Sequence, residues 1–225
     1  MIRAVIFDVI GTTVRETKPN IILDCLQKAF ARHKTEVDRH FLKQQRGKDK
    51  RVMIREVLSW QNLPADMENS IYSSFKENIR NNVTGFSENE GVGEVFSFLK
   101  KLYIKIGIGT GLERDLFNMI FDHLHWEKYE FDYTGICAET GRSRPHPDMI
   151  IEMMNKFFLK PNEVLKVGDT IADIQEGKNA GVRTAVLLSG TQEVKDLLKH
   201  SPDFVLNSLV EIKNLSIFNA AGLRR

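Results

Sequence analysis

The sequence predicts an α/β protein in which a doubly wound parallel sheet forms the core and an all-helical segment is inserted after the first strand. The apolar, β-branched run at residues 4–7 has the composition of a strand buried on both faces. A long stretch follows, from about residue 16 to residue 82, with apolar residues at helical spacing and no strand pattern. Helical and strand patterns then alternate to about residue 205. Such alternation builds a parallel sheet with helices on both faces.

The helical insertion divides the chain into two domains. We predict a core domain of residues 1–14 and 87–225 and a helical cap domain of residues 15–86. The segments 13–17 and 82–86 are the predicted hinges between them. A chain of 225 residues is long enough to bury a core and to carry a small second domain.

The elements after the insertion follow from periodicity and from Gly and Pro breaks. In chain order they are helix 92–102, strand 104–108, helix 113–124, strand 133–138, helix 148–158, strand 164–168, helix 171–179, strand 183–188, helix 194–199 and strand 204–205. From Phe218 onward we expect a loosely attached tail.

Composition excludes several function classes. The formal net charge of +2 is small and evenly distributed, which argues against nucleic acid or a membrane surface as partner. No apolar run approaches the roughly 20 residues that span a bilayer, and Met1 leads directly into a charged residue and a strand. Cys25 and Cys137 lie far apart without metal-type spacing, so both are expected to be reduced thiols. We expect a cytoplasmic protein, monomeric or homodimeric, that acts on a small molecule.

The most informative residue is Asp8, at the carboxyl end of the first strand. In a parallel sheet this end opens into the ligand crevice, where reactive groups lie. Gly11 allows a sharp turn over the site, and Thr12 and Thr13 offer hydroxyl or backbone N–H donors for an anion. An Asp at a strand end is also an ordinary turn residue, so the pattern depends on what lies farther along the chain.

A second strand ends in Gly168-Asp169, and Asp173 follows four residues later. Together with Asp8 these acids form an oxygen-rich cluster, which suits Mg²⁺ because hard cations prefer carboxylate, carbonyl and water ligands. Asp169 is alternatively the N-cap of the next helix, a role that is compatible with metal binding.

Two further groups are suited to bind an anion. Thr110 and Gly111 follow a strand in a Gly-rich turn, and we expect Thr110 at a helix N-terminus. The Gly-x-Gly-x-Gly pattern is not the dinucleotide fingerprint. Arg144 lies in a Pro-constrained loop ahead of another helix and can neutralise a phosphoryl group bidentately. A solvated loop is the alternative for Arg144.

Strand-Asp, strand-Thr, loop-Arg and strand-Gly-Asp-x-x-x-Asp, in this order, resemble the haloacid dehalogenase superfamily of phosphoryl-transfer hydrolases. The resemblance covers essentially the whole chain. It implies that Asp8 is the nucleophile that forms an aspartyl-phosphate and that Thr110, Gly111, Thr12 and Arg144 bind the phosphoryl oxygens. It also implies that Asp8, the Ile10 carbonyl, Asp169 and Asp173 form the magnesium site.

Ile10 departs from the majority pattern of this superfamily. Most of its phosphatases carry a second Asp at this position, which protonates the leaving alkoxide and then activates water; isoleucine does neither. The local sequence from Asp8 to Thr13 instead resembles the phosphonatase branch, phosphonoacetaldehyde hydrolase. Gly141 to Met149 and Val167 to Gly181 resemble that branch as well.

In phosphonatase a cap lysine forms a Schiff base with the substrate aldehyde and acts as the electron sink. Gly47 to Arg55 matches the spacing of the branch's Gly-x-x-Lys motif, which points to Lys50. Where the branch has a His and a Met, however, this chain has Met53 and Arg46. Lys50 is therefore a Schiff-base lysine, a cation that attracts phosphate or, as part of the basic run with Lys48 and Arg51, a solvated surface residue.

The resemblance implies a Mg²⁺-dependent hydrolase that acts on a small phosphonate or phosphorylated metabolite through an aspartyl-phosphate. One alternative is a phosphomonoester phosphatase of the same superfamily. Another is a phosphate-ester-binding or regulatory protein that has lost turnover. The dehalogenase branch is disfavoured, because the acids at 169 and 173 would repel an anionic substrate without a metal.

Overall fold

The protein, seen in a computed structural model that describes residues 1–219, contains two sheets with helices packed against them. The strands in chain order are β1 Ala4–Asp8, β2 Val14–Glu16, β3 Phe86–Glu88, β4 Lys105–Thr110, β5 Tyr133–Ile136, β6 Val164–Gly168, β7 Arg183–Leu187 and β8 Phe204–Leu206. The α-helices are α1 Ile21–Arg32, α2 Arg39–Gln44, α3 Lys50–Trp60, α4 Met67–Arg80, α5 Val92–Lys101, α6 Arg114–His123, α7 Cys137–Thr140, α8 Asp148–Phe157, α9 Ile171–Asn179, α10 Val194–Lys199 and α11 Ser216–Asn219. Short 3-10 helices span Val83–Gly85, Trp126–Tyr129, Pro161–Glu163 and Leu209–Asn214.

The larger sheet has six parallel strands in the order β5-β4-β1-β6-β7-β8. Every residue of β1 is buried, because the strand lies at the centre of the sheet with helices on both faces. Its apolar composition is what a two-sided buried strand requires. The predicted fold class is confirmed.

The carboxyl ends of β1, β4 and β6 meet at one edge of the sheet. Asp8 pairs with Gly109 in the ladder between β1 and β4, and Phe7 pairs with Val167 in the ladder between β1 and β6. The residues that follow each strand therefore converge above β1, at the edge where open α/β sheets bind ligands.

Most predicted boundaries lie within a few residues of the observed ones, but the predicted strand 133–138 was too long. Strand β5 ends at Ile136, which pairs with Thr110, the last residue of β4. Beyond Thr110 no β4 ladder remains for residue 137 to join, and the chain turns into the short helix α7.

Helices α1 to α4 form the segment between β1 and β3, and α4 packs against α1 and α3. Their buried faces carry large apolar side chains such as Leu26, Phe30, Ile54 and Phe75. The two predicted hinges meet in a two-stranded antiparallel ribbon, in which β2 pairs with β3 from Val14–Glu88 to Glu16–Phe86. The predicted helical stretch without a strand pattern, from about residue 16 to residue 82, missed this ribbon, whose strands lie at the two ends of that stretch. The division into core and cap domains stays an interpretation.

The chain near residue 218 is not a loose tail, so that prediction was wrong there. The Phe218 side chain is buried and packs edge-to-face on Phe98, with ring centroids 5.9 Å apart. The rest of the predicted tail, residues 220–225, lies outside the described residues.

Candidate active site

Asp8 stands at the end of the central strand β1 and is only 5% exposed. The turn after it is closed by the carbonyl of Val9, which accepts the amides of Thr13 and Val14 at 3.0 and 2.8 Å. Gly11 has φ +100°, and a Cβ there would lie 2.3 Å from Asp169 Oδ2, so a side chain is excluded. The turn therefore brings the chain directly against the second acid.

Three carboxylates meet at this point: ligand oxygens of Asp8, Asp169 and Asp173 lie within 4.8 Å of one another. All three side chains are buried. Asp169 follows β6, and Asp173 lies in the first turn of α9. The geometry groups the acids that the sequence proposed as metal ligands, and Ile10 lines a pocket together with Asp8.

Asp169 is not the N-cap of α9, contrary to the alternative considered from the sequence. Thr170 caps the helix: its hydroxyl accepts the amide of Asp173, while the Asp173 carboxylate accepts the amide of Thr170. Asp169 is free of the helix and instead accepts the Thr12 hydroxyl at 3.1 Å, the Thr191 amide at 2.7 Å and the Thr191 hydroxyl.

Thr12 does not fit its predicted role as a phosphate ligand. Its side chain is fully buried, and its hydroxyl donates to Asp169. Its amide bonds to the carbonyl of Val9 at 3.3 Å. Both donors are therefore used to hold the turn and the acid, and Thr12 positions Asp169.

The electrostatics of the acid cluster favour a bound cation. Burial raises the pKa of Asp8 to about 6, and repulsion from Asp173 adds to it, although Arg144 and Lys166 oppose the rise. Burial likewise raises the pKa of Asp169 to about 7, with repulsion from Asp8 and Asp173. Burial acts in the same direction on Asp173, but Lys166 and Arg144 outweigh it and hold its pKa below the ordinary value. A divalent ion would relieve the uncompensated charge on Asp8 and Asp169.

Arg144 is completely buried and not part of a solvated loop. Its Nη1 donates to Asp8 Oδ1 at 2.6 Å, and its Nη2 donates to the carbonyl of Gly109 at 2.7 Å. The same Nη1 lies 3.3 Å from Asp173 Oδ1 and donates to the carbonyl of Gly47 at 3.2 Å. One guanidinium thus contacts the proposed nucleophile, a proposed metal acid and the helical segment.

Two buried charges in this network were not identified from the sequence. Lys166, in β6, places its Nζ 3.0 Å from both Asp173 Oδ1 and Glu176 Oε2. Glu176, in α9, also lies 3.0 Å from Arg144 Nε. These ion pairs lack hydrogen-bond alignment among the described residues. The signals were present: a lysine inside an apolar strand run, and an acid three residues after Asp173 on one helix face.

Thr110 is the last residue of β4 and lies ahead of α6, whose N-cap is Glu113. The expectation of a helix N-terminus at Thr110 was therefore wrong, since the Gly-rich turn continues for several residues. The Thr110 hydroxyl accepts the amide of Leu112 at 3.1 Å, which leaves its proton available for a ligand. Thr110 and Gly111 both line the pocket next to Asp8.

Lys50 is the first residue of α3 and reaches the same pocket from the helical segment. It is 8% exposed, and its Nζ donates to the carbonyl of Lys48 at 2.7 Å. Burial lowers its pKa, against the opposing pull of Asp49 and Asp8. The Asp49 side chain caps α3, and the Asp49 amide donates to Ser143 Oγ at 2.8 Å, which docks the loop onto the core.

We call the space between these groups the closed pocket; it is lined by residues that include Asp8, Ile10, Lys50, Thr110 and Arg144. Its volume is about 30 Å³, enough for one or two water molecules. At Gly111 a Cβ would lie 2.5 Å from the carbonyl oxygen of Lys48, so only glycine permits this approach of the two segments. In this arrangement the pocket has no room for a phosphorylated substrate.

A buried carboxylate at a central strand tip, a cluster of three acids and the buried cations Arg144, Lys166 and Lys50 form a site on an α/β fold that is suited to a charged ligand. Residues 5–187 match the family described as haloacid dehalogenase-like hydrolase, and the chain belongs to this family. The protein is an enzyme of that superfamily, and it resembles the phosphonatase branch.

Sequence relatives agree with the branch. The chain is 28% identical over 207 residues to a phosphonoacetaldehyde hydrolase of Bacillus cereus (strain G9842), with 86% of this chain and 78% of the relative covered. It is 27% identical over 207 residues to a bifunctional phosphonoacetaldehyde hydrolase/aminoethylphosphonate transaminase of Clostridioides difficile (strain 630), covering 86% of this chain and 32% of that protein.

Solved structures share the fold. A phosphonoacetaldehyde hydrolase like protein from Oleispira antarctica has a TM-score of 0.84 at 21% identity and covers 98% of this chain and 92% of its own. A predicted phosphoglycolate phosphatase from Haemophilus somnus 129PT has a TM-score of 0.81 at 18% identity and covers 95% and 97%. Within the described residues, no helix is long and apolar enough to cross a membrane.

Proposed function

We propose that the protein is a Mg²⁺-dependent hydrolase that transfers the phosphoryl group of a small phosphonate or phosphorylated metabolite to Asp8 and then to water. The observation that carries this proposal is the Arg144 Nη1 to Asp8 Oδ1 distance of 2.6 Å inside a pocket shared with Thr110. This arrangement places a cation and a hydroxyl donor beside the carboxylate that would attack phosphorus. We further expect the enzyme to act in the cytoplasm, as a monomer or homodimer.

The metal site would consist of Asp8, Asp169 and the Ile10 carbonyl. Asp173 would complete the acid cluster, with a carboxylate oxygen within 4.8 Å of those of Asp8 and Asp169. The donor set fits Mg²⁺, because it is made of oxygen atoms alone and carries surplus negative charge. When bound, the ion would balance the charge on the transferred phosphoryl oxygens.

The chain's own groups account for the two covalent steps. An ionised oxygen of Asp8 forms a bond to phosphorus, and the bond from phosphorus to the leaving group breaks with its electron pair leaving on that group. Thr110 and Arg144 hold the phosphoryl oxygens through both steps. Water then attacks phosphorus, the bond to Asp8 breaks with its electron pair returning to the carboxylate, and both protons of the water leave on dihydrogen phosphate.

Ile10 restricts the leaving group. It offers no proton to a departing alkoxide and no base to the attacking water. Substrates whose leaving group departs as a stable anion, or as an enamine if Lys50 forms an imine, do not need a proton on the leaving group. The branch resemblance and the place of Lys50 in the closed pocket support phosphonates. The missing acid argues against simple alkyl phosphomonoesters.

The test is phosphate release in the presence of Mg²⁺ from phosphonoacetaldehyde, other phosphonates, aryl phosphates and acetyl phosphate. We expect turnover of acetyl phosphate, since its leaving group needs no protonation, and loss of at least 10³-fold in Asp8→Asn, whose amide cannot attack phosphorus. The exposed Asp122→Asn is the matched control and keeps wild-type activity. Activity of Asp8→Asn within tenfold of wild type would remove Asp8 as the nucleophile. Binding without turnover of any compound would favour the regulatory alternative.

A further inference from the structure

Arg46 lies beside the closed pocket and has no role in the mechanism above. It precedes Gly47, whose carbonyl contacts Arg144. Arg46 is 5% exposed and lines the closed pocket together with Asp8 and Lys50. It also lines a larger cavity of about 720 Å³, which extends toward Glu16 and the hinge ribbon. The guanidinium thus lies where the closed pocket meets the larger cavity.

The protein satisfies this guanidinium only in part. Its Nη2 donates to Asn20 Oδ1 at 3.0 Å and lies 3.5 Å from Glu16 Oε2. Its buried Nε has no hydrogen-bond partner within residues 1–219. The other oxygen of Glu16 accepts the amide of Ile22 at 2.7 Å, so Glu16 is shared between Arg46 and the start of α1. An arginine has five N–H donors, and leaving a buried one unfilled is costly.

On the helical side of the closed pocket, the cations Lys50 and Arg46 are accompanied by the buried acid side chains of Asp49 and Glu16. Arg144 and Lys166 are paired with the buried acids of the core. Lys50 donates a hydrogen bond to a backbone carbonyl. Arg46 lies 3.5 Å from the Glu16 carboxylate, which is longer than a good charge-assisted hydrogen bond. A phosphoryl group at Asp8 would be served by Arg144 and Thr110. Arg46 remains for a second anionic group at the other end of the ligand.

We propose that Arg46 binds a carboxylate on the part of the substrate that leaves, so that the substrate is a small carboxylated phosphonate or acyl, enol or aryl phosphate. This inference rests on the proposed function, which places the phosphoryl group at Asp8. The planar guanidinium matches a carboxylate with two parallel hydrogen bonds.

The test compares two ligands of equal shape, 3-phosphonopropionate and its amide, 3-phosphonopropionamide. Neither carries a carbonyl that activates its phosphorus–carbon bond, so both report binding alone. Calorimetry with the full chain and Mg²⁺ gives Kd for wild type, Arg46→Met, Arg46→Lys and Arg15→Met. Arg15 is the control, because it is an exposed cation that lines the larger cavity but not the closed pocket.

We expect wild type to bind the acid about 10- to 100-fold more tightly than the amide, or about 1.4 to 2.8 kcal/mol. In Arg46→Met this ratio should fall below threefold, because the acid binds more weakly while the affinity for the amide is unchanged. Arg46→Lys should keep part of the ratio, and Arg15→Met should keep all of it. Equal affinities in wild type, or an equal loss for both ligands in Arg46→Met, would overturn the inference.

Because Arg46→Met strands Glu16 and can destabilise the fold, Glu16→Gln provides a second variant that keeps the guanidinium. We expect it to bind the acid as tightly as wild type or more tightly, since a competing carboxylate is gone. Tenfold weaker binding of the acid would mean that Arg46 serves the packing of α1, against the inference. Phosphate release from acetyl phosphate separates the two proposals. Turnover without preference for the acid overturns only the carboxylate site, and preference without turnover overturns only the proposed function.

Discussion

Replacing Lys166 with Met tests whether the buried charge network holds the acid cluster together. The Lys166 side chain is 1% exposed, and its Nζ lies 3.0 Å from Asp173 Oδ1 and from Glu176 Oε2. Burial acts to lower its pKa, but these two acids hold the pKa above the ordinary value, so the lysine is charged. Methionine keeps most of the volume and removes the charge. Arg144 is then the one cation that remains paired with the two carboxylates among the described residues.

Removing one partner of a buried ion pair typically costs about 3–5 kcal/mol. At about 2–4 °C per kcal/mol for a protein of this size, the melting temperature should fall by about 6–20 °C. Calorimetric melting in chelator measures the loss without a contribution from bound metal. A second readout is the pH dependence of phosphate release. Because Lys166 helps to lower the pKa of Asp8, its loss should shift the acidic limb of the profile to higher pH.

Two comparisons make this prediction specific. The control is Lys156→Met, which likewise replaces a lysine with methionine but at an exposed position, where Nζ donates to the carbonyl of Asp132. This variant should change the melting temperature by no more than about 2 °C. Adding Glu176→Gln to Lys166→Met should recover part of the loss, because one of the two stranded carboxylates becomes neutral. A fall of less than about 2 °C in Lys166→Met, with an unchanged pH profile, would refute a role for this lysine in the acid cluster.

Four further predictions concern the metal, the acid cluster, Ile10 and Lys50. Chelation should abolish phosphate release, and Mg²⁺ should restore it while Ca²⁺ should not, because Ca²⁺ has larger and looser coordination. In the presence of a chelator, the free energy of unfolding should fall as pH rises from about 4 to about 7. The reason is that the raised pKa values of Asp8 and Asp169 let the folded protein bind protons more tightly than the unfolded chain does. The lowered pKa of Asp173 affects stability only below about pH 3.8. Melting curves should therefore show a larger Mg²⁺ stabilisation at pH 8 than at pH 5, and an equal one would contradict these pKa shifts. Ile10→Asp should raise the turnover of esters with poor leaving groups by up to about 10²- to 10⁴-fold and leave the turnover of aryl and acyl phosphates nearly unchanged. The same turnover change at every leaving-group pKa would show that another group already supplies the proton. If Lys50 only attracts the phosphate, borohydride with an aldehyde substrate should leave Lys50 unmodified, and Lys50→Arg should stay active. A reduced adduct found on Lys50 by peptide mapping would establish imine chemistry instead.

The sequence predicts the sheet and the acids well for one physical reason. Parallel strands place their carboxyl ends at one edge, so an acid after β1 and an acid after β6 must meet wherever the strands are neighbours. The ribbon of β2 and β3 was missed, because three-residue strands are too short for a period of two to appear. The partners of Thr12 and Glu176 depend on contacts between distant segments, and local pattern carries no information about them.

The proton inventory of the closed pocket singles out Lys50 as a group whose protonation state would bear on the proposed chemistry. Ile10 has no proton to give, and Arg144 keeps its protons at any physiological pH. Burial lowers the pKa of Lys50, so among these three residues it is the one whose protonation state can change during turnover. We propose that Lys50 as an ammonium would stabilise the phosphoryl charge, so that the leaving group would have to depart unaided as a stable anion. As an amine it would attack a carbonyl and provide the electron sink for cleavage of a bond from phosphorus to carbon. The protonation state of Lys50 would then decide between acyl or enol phosphates and phosphonates as substrates, and in either case a carboxylate on the leaving group would be bound by Arg46.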